Sequence, residues 1–194
     1  MDSYSITNVK YLDPTELHRW MQEGHTTTLR EPFQVVDVRG SDYMGGHIKD
    51  GWHYAYSRLK QDPEYLRELK HRLLEKQADG RGALNVIFHC MLSQQRGPSA
   101  AMLLLRSLDT AELSRCRLWV LRGGFSRWQS VYGDDESVTA GYLPDLWRWQ
   151  VYTIARDHIF AMTPPSDNFV LFSSLSLSYY GQSFIHYIRA LHNP

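Results

Sequence analysis

Apolar residues in this chain fall into two rhythms, short unbroken runs and three-to-four-residue periods, and the two alternate. Leu17, Trp20 and Met21 share one helical face. Asp13, Pro14 and Glu16 before them read as an N-cap, a first-turn proline and a capping-box partner, and Gly24 reads as the stop. Phe33 to Val38 is a compact apolar run, predicted as a buried strand that leaves through Asp37, Val38 and Arg39 into a loop broken by Gly40, Gly45 and Gly46. Trp52, Tyr54 and Tyr56 alternate as strand residues do. Asp62 and Pro63 repeat the cap signal for a half-exposed helix that carries Leu66, Leu69 and Leu73 and stops at Gly80 and Gly82.

Leu84 to His89 predicts another strand, and Pro98 to Leu108 a largely buried helix. Cys116 to Leu121 predicts a further strand, Gly123 and Gly124 a tight turn, and Phe125, Trp128 and Val131 the inner face of the helix that follows. Strands alternating with helices imply an α/β fold whose parallel sheet is covered on both sides.

The rhythm changes near Trp147. The last 46 residues hold only four charged side chains, Arg156, Asp157, Asp167 and Arg189, and no lysine. The expected division is a domain over residues 1–147 and a C-terminal extension over 148–194. Phe169 to Ile188 is uncharged and about as long as a membrane span, but five serines, Gly181, Gln182 and His186 interrupt it. A loosely packed extension is the expectation there, not an anchor.

Composition narrows the function classes. Hydrophobic residues make up 43% and charged residues 22%, with 21 basic side chains balancing 21 acidic ones, so no charge excess points to nucleic acid or an acidic membrane. The two cysteines, Cys90 and Cys116, are too few for a disulfide framework or a cysteine-based zinc site. Residues 1–14 lack a basic cluster followed by an apolar run, so a cytoplasmic protein, also present in the nucleus, is expected.

The candidate chemistry lies in His89, Cys90, Met91, Leu92, Ser93, Gln94, Gln95, Arg96 and Gly97, where five residues separate a cysteine from an arginine. With sixteen arginines in the chain such a spacing arises readily by accident, so the context carries the weight. The segment leaves a predicted strand and enters a predicted helix, and ligands of open α/β sheets bind at such carboxyl ends. Backbone N–H groups of a loop curled there can converge on one oxyanion, with the helix dipole behind them. Arg96 would add a planar fork for two oxygens, and the same donors favour a nucleophilic thiolate at Cys90.

These residues resemble the dual-specificity phosphatases of the cell-division-cycle type, which have a rhodanese fold, and their small fungal homologues. The likeness has three parts: Val35 to Arg39 with Gly45, Gly46, His47 and Ile48; His89 through Arg96, Gly97 and Pro98; and Leu121, Gly123, Gly124, Phe125 and Trp128. The resemblance implies a central five-stranded parallel sheet, Cys90 as nucleophile and Arg96 as phosphate ligand. It also implies Met91 to Arg96 as the phosphate loop, with Asp37, Arg39 and His89 supporting it. The expected activity is hydrolysis of phosphate monoesters on proteins or small esters through a phosphocysteine, without metal or cofactor. Two positions depart from the larger family members. Met91 and Gln95 replace loop glutamates, so no general acid lies in the loop and aryl phosphates should be the easier substrates. Val38 stands where those enzymes keep a second cysteine.

Two further readings stand beside this one. An arsenate reductase on the same loop would borrow glutathione or a glutaredoxin, since arsenate matches phosphate in shape and charge. A non-catalytic phosphopeptide-binding module would keep the cradle without turnover. Elsewhere, Arg115, Arg117, Arg122 and Arg127 read as a solvated helix face sooner than as a basic rim, and His47 and His53 as structural residues, since their spacing is not that of a helical zinc motif.

Overall fold

A computed structural model describes residues 9–78 and 82–147. The expectations for the stretch beyond 148, including the uncharged segment 169–188, lie outside the described residues. Within them, no helix is long and apolar enough to cross a membrane.

The five parallel strands are β1 (Val9–Leu12), β2 (Phe33–Asp37), β4 (Trp52–His53), β5 (Leu84–His89) and β6 (Cys116–Leu121), in the order β1-β6-β5-β2-β4. A separate antiparallel pair joins β3 (His47–Ile48) to β7 (Thr139–Ala140). The unbroken apolar run of β5 is buried at every position, as a central parallel strand requires. Its side chains alternate between two cores. Val86 and Phe88 pack with Val36, Leu104 and Leu105 on one face, and Ile87 packs with Val35, Phe125 and Trp128 on the other.

The first face is covered by α2 (Tyr56–Gln61), α3 (Pro63–Ala78), α4 (Arg96–Ser107) and α5 (Thr110–Ser114). The second is covered by α1 (Pro14–Glu23) and α6 (Gly124–Tyr132). Because the strands are parallel, the segments leaving β2, β5 and β6 meet at one end of the sheet, and the candidate chemistry sits there.

Several local expectations need correction. α1 begins at Pro14, but Asp13 makes no side-chain cap, and Glu16 accepts from the Trp20 indole at 2.9 Å instead of closing a box. Asp13 is drawn away by Arg122 at 3.1 Å and Arg127 at 3.7 Å. Asp62 does cap α3, accepting from the Glu64 and Tyr65 amides at 3.0 and 3.2 Å. Only Trp52 of the alternating aromatics lies in a strand, because the chain turns after His53 and Tyr56 opens α2. Val131 is 61% exposed. The inward stripe of α6 runs Phe125, Trp128, Tyr132, and Val131 lies about a quarter turn off it.

Candidate functional site

α4 starts at Arg96, two residues before the predicted Pro98, so the arginine is the first helical residue and its side chain projects from the mouth of the loop. Pro98 sits in the first turn, where its missing N–H costs nothing. The preceding loop is curled tightly enough that Ser93 takes a left-handed φ of 54°. The Ser93 amide donates to Cys90 Sγ at 3.2 Å, and the Cys90 amide donates to Ser93 Oγ at 3.4 Å. Cys90 and Ser93 are buried, Met91 and Arg96 half-buried, and Leu92, Gln94 and Gln95 exposed.

The loop is held open from behind. The Phe125 and Ser126 amides at the start of α6 donate to the carbonyls of Cys90 and Met91, each at 2.9 Å. Those two oxygens are thus turned toward α6, while the Ser93 amide points at the Cys90 sulfur. Such proximity needs a glycine. A Cβ on Gly124, whose φ is +59°, would fall 2.5 Å from the Met91 oxygen and closer still to that of Cys90.

Beneath the loop lies a buried charged layer. Arg39, wholly buried, donates through Nε and Nη2 to the Asp37 carboxylate at 2.6 to 3.0 Å, and its Nη2 also donates to the Gly46 carbonyl at 2.8 Å. Its guanidinium stacks 4.1 Å from the Phe125 ring centre. Burial pushes the Asp37 carboxyl up, but the His89 ring and the charge and hydrogen bonds of Arg39 together hold it below the usual carboxylate range. His89 is fully buried, and burial pushes its pKa down, which keeps the ring neutral. Its Nδ1 lies 3.3 Å from the Cys90 carbonyl and donates to it, so Nε2 is the bare nitrogen. That Nε2 stands 3.6 Å from Asp37 and has no hydrogen-bond partner among the described residues. Asp37, Arg39 and His89 thus lie side by side beneath the loop, at the ends of β2 and β5.

Sequence reading did not find Asp42. It sits in a single 3-10 turn, Ser41–Tyr43, and accepts from Arg96 Nη1 and Nη2 at 2.7 and 2.5 Å. The Gly40 amide fixes the same carboxylate at 2.9 Å. Burial raises the Asp42 carboxyl, yet the Arg96 fork outweighs it and keeps the group below the ordinary range. Arg96 is raised in turn, by Asp42 first, with Cys90 adding to it. No signal in the sequence could have joined Asp42 to an arginine 54 residues away.

The other candidates fall elsewhere. His47 and His53 flank the Tyr43 ring, at 5.4 and 4.0 Å between centres, and His53 Nε2 donates to the Arg39 carbonyl at 2.8 Å. Arg117 pairs with Glu31, and Arg122 with Asp13. Cys116 pairs in register with Leu84, at the start of β5, whereas Cys90 follows its end. Six residues of strand put them about 20 Å apart.

A parallel α/β sheet carries the loop from Cys90 to Arg96 at its carboxyl end, with the first amides of α6 packed behind it. Residues 13–131 match the rhodanese-like domain family, and the chain belongs to it. It is 32% identical to Arsenical-resistance protein 2 of Saccharomyces cerevisiae over 105 residues, 52% of this chain and 77% of that one. It is 26% identical to the dual specificity phosphatase ibp1 of Schizosaccharomyces pombe over 151 residues, 69% of this chain and 97% of that one. The fold is also that of the As-Sb reductase from Leishmania major, with a TM-score of 0.52 and 23% identity over 66% of this chain and 81% of that one. Relatives thus include phosphatases and arsenate reductases.

Proposed function

We propose that the chain is a cysteine-dependent phosphatase for phosphate monoesters. Cys90 attacks phosphorus, Arg96 and the amides of residues 91 to 96 bind the equatorial oxygens, and the ester oxygen departs with the bonding electron pair. Water then hydrolyses the phosphocysteine and releases inorganic phosphate. The observation that carries this reading is the outward anchoring of the Cys90 and Met91 carbonyls by α6, which strips acceptor oxygens from the cradle next to the sulfur. Extensive matching to ibp1, over nearly all of that phosphatase, supports it. Asp42, held deprotonated by Arg96, is poorly suited to protonate a leaving alkoxide, so aryl phosphates, phosphotyrosine among them, are the favoured substrates.

A second reading, arsenate reduction, is favoured by the match to Arsenical-resistance protein 2. Reducing arsenate to arsenite takes two electrons from two thiols. Cys116, at the far end of β5, cannot be the second, so glutathione or a glutaredoxin would supply it. One purified sample assayed with p-nitrophenyl phosphate and with arsenate plus glutathione separates these two activities, and thiosulfate plus cyanide checks for sulfur transfer by the same loop. Cys90→Ser should abolish turnover while sparing oxyanion binding. Full phosphatase activity in that variant would sink the assignment.

A further inference from the structure

Asp42 and Arg96 form a bidentate pair at the mouth of the cysteine loop, and both its distances, 2.7 and 2.5 Å, are those of a charge-assisted fork. A carboxylate offers the guanidinium the same two-oxygen edge that a tetrahedral oxyanion would. We infer that Asp42 is a built-in competitor for the anion at Arg96, a specificity-determining residue that taxes ligands according to their charge. This rests on the reading of the loop from Cys90 to Arg96 as an oxyanion cradle.

Three observations carry it. First, the pair takes both terminal nitrogens of Arg96, the only formal positive charge in residues 89 to 97. An anion using that edge must displace the carboxylate. Second, displacement is physically open, because the side chains of Arg96 and Asp42 are 36% and 33% exposed. Third, the displaced carboxylate cannot go far. The Gly40 amide holds Oδ1 at 2.9 Å, and buried Arg39 donates to the Asp42 backbone carbonyl at 3.3 Å. Besides Arg96 and Arg39, the groups around this turn are Tyr43, whose ring faces His47 and His53, and Cys90 across the loop. Among the described residues, Asp42 is the one carboxylate paired with Arg96.

The cost of binding therefore has two parts. Losing the Asp42 pair is the same for any anion of the right shape. Repulsion from the carboxylate left nearby grows with the anion's charge. Sulfate and perchlorate separate the two, since both are tetrahedral and they differ by one unit of charge.

The test is a titration of the whole chain and of Asp42→Asn with sodium sulfate and with sodium perchlorate at pH 7.5 and constant ionic strength. It is followed by solution NMR of the amides of residues 91 to 96, and the same spectra report folding. Asp42→Asn should bind sulfate about tenfold more tightly than the natural chain, and its gain for perchlorate should be about threefold smaller. Asp42→Glu, which restores the charge, should return both affinities toward their natural values. Equal gains for the two anions, no gain, or a loss for both would overturn the proposal and make Asp42 a partner that merely orients Arg96. Asp42→Ser guards against a folding defect specific to asparagine. If both variants lose the dispersed spectrum of the folded chain, the carboxylate is structural and the proposal falls. Failure of sulfate to perturb the loop in any variant would overturn the cradle reading as well, whereas binding that ignores residue 42 overturns this inference alone.

Discussion

Gly124→Ala is the sharpest probe of what holds the cysteine loop in shape. Two costs combine. An alanine at a φ of +59° costs about 1 kcal/mol over glycine, from its left-handed backbone alone. The new Cβ would also fall within 2.5 Å of the Met91 oxygen and nearer that of Cys90, so the loop must move and weaken the two amide contacts from Phe125 and Ser126. Two weakened hydrogen bonds and the repacking around them cost about 2 kcal/mol more. Gly24→Ala is the matched control, because Gly24 has a φ of +75° with nothing within 4 Å of its would-be Cβ. Urea unfolding should therefore show a loss of about 3 kcal/mol for Gly124→Ala and about 1 kcal/mol for Gly24→Ala. Turnover of p-nitrophenyl phosphate should fall about 100-fold in the first and stay unchanged in the second, as displacement of reacting groups by about 1 Å would dictate. Equal losses of stability in the two variants would refute the claim that close approach, and not backbone freedom, requires glycine at 124.

Two further outcomes follow from the titratable groups. Glu31 is buried and accepts from Arg117, Asn85 and the Ala83 amide, and Arg117 chiefly holds its carboxyl below the ordinary value. A depressed folded pKa stabilises above the unfolded value of about 4.3 and ceases to do so as pH falls through the folded one. Glu31→Gln should thus cost about 1 kcal/mol at pH 7, a figure kept small because Arg117 is half exposed, and the difference should shrink in urea titrations run below about pH 4; a gap constant with pH would contradict this. Peroxide should inactivate the protein without an internal disulfide, because burial pushes the Cys116 thiol up to about 11 and the sheet keeps it far from Cys90. An intact-mass loss of two units would show otherwise.

What could be read from the sequence were features set by neighbours along the chain. The run Leu84 to His89 announces a buried strand, and a strand followed by a short loop and a helix places Cys90 and Arg96 at a sheet end. What could not be read depends on partners distant in sequence. Asp42 meets Arg96 because β2 and β5 are adjacent, an adjacency no local pattern encodes. Gly123 and Gly124 read as a turn, whereas Gly124 serves chiefly to let α6 approach the loop. Asp13 illustrates the reverse error: its cap signal is sound locally, and two arginines beyond β6 outcompete it. Trp147 likewise reaches far back along the chain, its indole donating to the Gly45 carbonyl at 2.7 Å.

The register that aligns Cys116 with Leu84 also sets the kinetics of recovery from oxidation. With no thiol of its own within reach, a sulfenate on Cys90 has no unimolecular route back to the reduced state. Its lifetime is then second order, inversely proportional to whatever small thiol the surroundings supply. Such a protein reports the concentration of that pool and keeps no internal clock, a difference fixed by six residues of parallel strand.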